Sequence, residues 1–205
     1  MQPWAVVYLE TNFIVGAAKG QDLHVDSLFK TGKSVAFKLP AICCMEALST
    51  LEQLRKQTKR TMETLKQLLG IWDAKNDQSS TIAARWVGHI EKSRIDAANY
   101  HNQVEQRMLR VLGDLAGRVE LIPLETRMLL EHLYNPIVPD PTDNLILTCI
   151  EFDAARADPI PHRALLSGDR EAFESGDARR LLDQFAIKHF SSTESIVRWL
   201  GSLPA

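Results

Sequence analysis

Four carboxylates in this 205-residue chain stand where short apolar runs give way to polar residues. Glu10 directly follows Ala5-Val6-Val7-Tyr8-Leu9, and Asp169 follows Arg163-Ala164-Leu165-Leu166-Ser167 by two residues. Asp143 opens a helix-patterned stretch behind a proline-rich loop that also holds Asp140. Glu46 sits roughly two turns into the helical stretch that begins at Ala41. Several carboxylates on one small site are what Mg²⁺ or Mn²⁺ needs, because these hard cations take oxygen ligands. Such a site suits phosphoryl chemistry. Each acid alone has a plain structural reading: Asp143 as an N-cap or first-turn acid, Asp169 as a turn residue, Glu10 as a cap, Glu46 as a solvated helix acid. Their coincidence at strand ends and helix starts is what points to a site.

The elements that must position these acids alternate. Residues 5–9 read as a buried strand, followed by a turn at Glu10-Thr11-Asn12 and a short helix near residues 24–30. A second strand is expected at 34–39, ended by Pro40, and a helix at 41–54 with Ile42, Met45 and Leu48 facing inward and Glu46 beside them. Strands follow at 119–124, 163–167 and 186–190, with helices at 125–133 and 143–157. Ser191 with Glu194 has the capping-box spacing for a last helix through Leu200. Five short strands alternating with helices predict an α/β fold with a doubly wound, mostly parallel five-stranded sheet. In such a sheet, sites gather beyond the carboxyl ends of the strands.

Between residues 51 and 117 no strand signal occurs. Leu51, Leu54, Met62, Leu65 and Leu69 form one stripe at helical spacing. Ile82, Trp86, Ile90, Ala97, Val104, Met108, Val111 and Leu115 form a second, with Asn76-Asp77-Gln78-Ser79-Ser80 between them. This predicts an α-helical hairpin inserted at 51–117 into a single domain spanning 1–205. The first helix carries Arg55, Lys56, Lys59, Arg60 and Lys66 against Glu52 and Glu63, a surplus that could track a phosphate backbone. An ordinary solvated helix face explains the same residues. Trp72, Trp86 and Tyr100 could stack on bases, although aromatics at helical spacing more often pack in a core. The leucine stripe also suits a homodimer or a protein partner.

The chain-wide charge of −2 hides a split, with 16 Lys+Arg against 12 Asp+Glu in residues 1–119 and 8 against 14 in residues 120–205. A metal site beside a polyanion groove would produce that asymmetry, as would chance. Cys43, Cys44 and Cys149 lack zinc-ligand spacing and suit a reducing cytoplasm, with the adjacent pair packing as small hydrophobes. The chain shows no secretory signal pattern and no apolar run near the ~20 residues that span a bilayer.

The ordered set Val7-Tyr8-Leu9-Glu10-Thr11-Asn12, Pro40 with Glu46-Ala47-Leu48, Asp143-Asn144-Leu145-Ile146, and Leu166-Ser167-Gly168-Asp169 with Phe173 resembles the PIN-domain nucleases. The resemblance covers residues 5–50 and 119–190. It implies a doubly wound sheet and an acid cluster of Glu10, Glu46, Asp143 and Asp169. Glu10, Asp143 and Asp169 would hold one or two Mg²⁺ or Mn²⁺ ions, with Asp140 as an accessory ligand and Asn12 and Ser167 orienting the carboxylates. It implies an endoribonuclease cutting single-stranded RNA in the cytoplasm, with a toxin–antitoxin setting, and hence an antitoxin partner, among its forms. Arg55, Lys56, Lys59 and Arg60 would then contact substrate. The chain departs from the family at Glu10, where the family has Asp, in chemistry where a misplacement of ~1 Å costs ~100-fold. A second reading therefore keeps the fold and makes the protein a catalytically weakened RNA- or protein-binding module. A phosphatase fits less well, since the first strand lacks Asp-x-Asp and no Gly-rich phosphate loop occurs.

Overall fold

The computed structural model of the chain describes residues 3–31, 35–75, 81–157, 160, 162–174 and 176–203. Five strands, β1 (Ala5–Leu9), β2 (Val35–Pro40), β3 (Glu120–Ile122), β4 (His162–Leu166) and β5 (Ile187–Phe190), form one sheet in the order β3-β2-β1-β4-β5. Every pairing is parallel. All five residues of β1 are buried, as an unbroken apolar run in a central strand requires.

The helices are α1 (Thr11–Lys19), α2 (Val25–Leu28), α3 (Ala41–Lys75), α4 (Thr81–Ala116), α5 (Thr126–Tyr134), α6 (Pro141–Arg156), α7 (Arg170–Phe173), α8 (Gly176–Gln184) and α9 (Thr193–Ser202). Helices α1, α3 and α4 pack on one another, while α6 packs on α5 and α8. Tyr8 and Lys38, cross-strand neighbours on β1 and β2, both point at α6. There Asp153 accepts from the Tyr8 hydroxyl at 2.8 Å and from the Lys38 ammonium at 2.7 Å. This α/β arrangement, an all-parallel sheet with two helix groups, is consistent with a doubly wound fold.

Strand order fixes where a site belongs. From β1 the chain winds outward through β2 to β3, then returns past β1 to β4 and β5. The reversal leaves a crevice between β1 and β4 at their carboxyl ends, where open parallel sheets bind ligands. Leu9 pairs with Leu166, so Glu10 and Ser167 leave the sheet side by side.

Several local expectations change. No separate turn follows β1, because α1 starts directly at Thr11 with Glu10 as its N-cap. The helix expected at 41–54 and the first hairpin helix are one continuous helix, α3. Its buried face is Cys43 and Ala47, whereas Met45 is 65% and Leu48 40% exposed. Small Cys and Ala side chains let the start of α3 approach α1 closely, and being small they contribute little to an apolar pattern. The last turns of α4 place Val104, Met108 and Leu115 in the main core. Trp86 and Tyr100 are more than half exposed, so neither is a core aromatic. Among the described side chains, none between residues 52 and 103 is buried. Leu69, Trp72, Ile82 and the connection at 76–80 lie outside the described side chains and residues.

Strand β5 begins at Ile187 and not at Ala186, whose φ of +54° is left-handed and cannot join a ladder. Ser192, not Ser191, caps α9, its hydroxyl oxygen accepting from the Ser195 N–H. Helices α7 and α8 fill a stretch that carried no expectation. The three cysteines are free, Cys43 and Cys149 buried and Cys44 half-buried. Among the described residues no helix is long and apolar enough to cross a membrane.

Candidate carboxylate site

Glu10 is the most deeply placed acid, 2% exposed at the end of β1. As N-cap of α1 it accepts the Asn12 backbone N–H at 2.7 Å on one oxygen and 3.1 Å on the other. The Ser167 hydroxyl donates to Oε1 at 3.3 Å. These donors and the positive end of α1 favour the anion, but burial outweighs them. Desolvation, opposed by the two hydrogen bonds and reinforced by the charges of Glu46 and Asp143, pushes the carboxyl up to about 7.

Glu46, half-buried on α3, accepts a short hydrogen bond from the Thr11 hydroxyl. The first turn of α1 therefore serves two acids: its Asn12 N–H grips Glu10 and its Thr11 hydroxyl grips Glu46. Asn12 does not orient Glu10 through its side chain, which is exposed; the backbone N–H makes the contact. Ser167 donates to Glu10 and accepts the Asp169 N–H at 3.0 Å.

Asp140 caps α6, one oxygen accepting the N–H groups of Thr142 and Asp143 at 2.8 and 3.0 Å. Pro141 follows at the first helical position, where its missing donor costs nothing. Asp143 lies in the first turn, and burial first, then the charges of Asp140, Asp169 and Glu46, push it up to about 6. Asp143 thus shares a field with the other four acids, since it in turn raises Glu10. Asp169 caps α7, accepting the Ala172 N–H at 2.9 Å. A cleft of about 510 Å³ opens beside Asp140, Asp143 and Asp169, its other walls Val138, Pro139, Glu171 and Ala172. A larger groove of about 770 Å³ runs along β5, α8 and Trp199. It contains none of the five acids, so the smaller cleft is the one with chemistry.

No Lys or Arg forms an ion pair with Glu10, Glu46, Asp140, Asp143 or Asp169 among the described residues. Uncompensated carboxylates whose charges help to push Glu10 and Asp143 up are a donor set suited to a hard divalent cation. They are spaced more widely than a closed ligand cage: among the described residues no three His, Cys, Asp or Glu side chains group closely enough to hold one ion.

Two positioning residues lie inside the motif segments, but their partners are not legible from the sequence. Asn144 is buried and its side-chain oxygen accepts the N–H groups of Ile137 and Val138, at 2.6 and 3.3 Å. Its amide reaches Nδ1 of His132 at 2.6 Å, so it clamps the loop leading to Asp140 against α5. Thr11 is the second; only the fold brings it to Glu46, 35 positions later. The cations Arg55, Lys56, Lys59 and Arg60 are exposed on α3, and Lys56 pairs with Glu52 at 3.7 Å. The chain matches no family model, no curated protein and no solved structure.

Proposed function

We propose that the protein is a metal-dependent endoribonuclease of PIN type that hydrolyses phosphodiester bonds in single-stranded RNA. The observation that carries this reading is the shared field of Glu10, Glu46, Asp143, Asp140 and Asp169 at the β1–β4 crevice, with no Lys or Arg ion pair to any of them among the described residues. Asp143 and Asp169 would hold a Mg²⁺ or Mn²⁺ ion at the cleft, with Glu10 behind them and Asp140 beside. A bound divalent ion supplies an acidified water and offsets charge on the phosphate. Glu46, steadied by Thr11, and Glu10, steadied by Asn12 and Ser167, keep the negative field in place. Burial holds Glu10 near 7 and Asp143 near 6 in the metal-free protein, so on this reading an arriving divalent ion would displace protons from the site. On this reading α3 and α4 are the crossover helices of a PIN fold, with their outer turns added as a hairpin.

A second reading has its own observation. Glu10 is committed to capping α1, and the acids do not close into a cage. A PIN-like module that binds RNA or protein without cutting would look the same. Mn²⁺-dependent cleavage of a labelled single-stranded RNA by the wild type, Asp143→Asn and Asp169→Asn separates the two. Loss in both variants by ~100-fold or more supports catalysis; equal activity in all three removes it.

A further inference from the structure

The continuity of α3 fixes which of its side chains stand above Glu46. Because the helix runs unbroken from Ala41 to Lys75, Glu46 shares an axis with every residue above it. At about 100° per residue, Ser49, Thr50, Gln53, Gln57, Arg60, Thr61, Thr64 and Gln67 fall within about 60° of the Glu46 direction. Most of these side chains are exposed, Thr50 being half-buried. The half-buried stripe of Leu51, Leu54, Met62 and Leu65, which meets α4, lies about 80–160° to one side. Arg55, Lys59 and Lys66 point about 180–220° away, on the opposite flank, and Lys56, paired with Glu52, lies about 80° to the side, so the cations expected to act together are dispersed around the helix.

The flank above Glu46 is unusual in content. Between Glu46 and Leu68 it contains no acid, one cation (Arg60), and otherwise amides and hydroxyls. The two acids of this stretch, Glu52 and Glu63, lie about 100–120° off the Glu46 direction. Gln53, Gln57, Arg60 and Thr64 stand about 10, 16, 21 and 27 Å along the axis from Glu46. A protein partner would need apolar anchors at the centre of such a patch, and its one large apolar side chain, Leu68, lies at the far end. A flexible polyanion with hydrogen-bonding bases needs what is present: donors and acceptors, a phosphate contact and no acid to repel it.

Resting on the nuclease reading above, we infer that single-stranded RNA leaves the carboxylate site along the Gln53–Gln57–Arg60–Thr64 flank of α3. Arg60 takes a backbone phosphate and the two glutamines take base or ribose edges. The opposite flank of Arg55, Lys59 and Lys66 takes no direct part.

The test compares two triple variants of the full chain, Gln53→Ala/Gln57→Ala/Arg60→Ala and Arg55→Ala/Lys59→Ala/Lys66→Ala. Each is assayed with Mn²⁺ on a long single-stranded RNA and on a short one confined to the acids. All six positions are exposed, so neither variant threatens folding. Three lost contacts at about 1 kcal/mol or less each predict a KM about 10–100-fold higher for the long RNA in the first triple, with kcat and the short RNA unchanged. The second triple should change KM by less than about threefold. Binding of a non-cleavable RNA, followed by fluorescence anisotropy, should lose about 0.7 from its salt slope on Arg60→Ala alone. A larger loss in the second triple, or equal losses on the short and long RNA, overturns the path. If the wild type cuts neither RNA, the nuclease reading fails; anisotropy then decides the path by itself, and no RNA binding, or binding unaffected by the first triple, overturns it.

Discussion

Replacing Glu10 by Gln should make the protein more stable while ending its proposed chemistry. The carboxyl stands at about 7 in the fold against 4.5 as an ordinary glutamate. Below about pH 4.5 folded and unfolded chains both hold the proton, and the shift has no effect. Between about 4.5 and 7 the folded state keeps a proton that the unfolded state has lost, so stability falls as pH rises. Above about 7 the full penalty of the buried anion applies, on the order of 3 kcal/mol. Glutamine keeps an oxygen for the Asn12 N–H and carries no charge.

Glu10→Gln should therefore gain about 3 kcal/mol near pH 8 but only about 1 kcal/mol near pH 5. For a chain of this size that is a rise in Tm of about 6–12 °C at the higher pH and a few degrees at the lower. Thermal melts of the two proteins at both pH values read this directly. A saturating divalent ion should narrow the gap, because stabilisation by ligand follows RT ln(1 + [L]/Kd) and the wild type would bind it better. A variant no more stable than wild type at pH 8, or equally stabilised at both pH values, would refute the account of Glu10 as an anion buried against its preference.

Other expectations concern the frame. Asp153→Ala leaves the Lys38 ammonium only its 3.5 Å pair with Glu120 and removes the acceptor of the buried Tyr8 hydroxyl, and should cost about 3 kcal/mol in denaturant melts. Met108→Ala, in the core, should cost about 2–5 kcal/mol, while Leu109→Ala, 60% exposed on the next position of α4, should cost under about 0.5 kcal/mol. Ser192→Ala should lose about 1 kcal/mol with its cap, and Ser191→Ala almost nothing. Ala186→Gly, relieving a left-handed alanine before β5, should raise stability by about 1 kcal/mol in the same melts.

What the sequence makes legible is what is local. The run Ala5-Val6-Val7-Tyr8-Leu9 can only be buried, and the placement of Glu10 after it, or of Asp169 after Leu165-Leu166-Ser167, needs no knowledge of the rest of the chain. Contacts between distant segments are not legible. Thr11 meets Glu46 because β1 and β2 are neighbours, and Asn144 reaches back to His132 because α5 and α6 pack together. The buried face of α3 is hidden in the sequence for a different reason: Cys43 and Ala47 have little apolar area, so Met45 and Leu48 dominate the periodicity although they end in solvent. Placing the cations of α3 around the helix required only 100° per residue, once residues 41 and 75 were known to belong to one helix.

The geometry also gives Glu10 a physical rationale where an aspartate would be expected. Its longer side chain folds back so that both oxygens face the Asn12 N–H while Oε1 still meets Ser167 on the neighbouring strand. Ser167 passes the connection on by accepting from Asp169, and Thr11 carries it to Glu46. One helical turn, Glu10 to Phe13, thus ties β1 to β4, α3 and α7. Glu10, Glu46 and Asp169 are tied together through Thr11, Asn12 and Ser167, the bonds to the two glutamates being the ones with carboxylate acceptors, while Asp140 and Asp143 are held separately at the start of α6. On the proposed function, a divalent ion bound there would relieve the burial and like-charge repulsion that push Glu10 and Asp143 up.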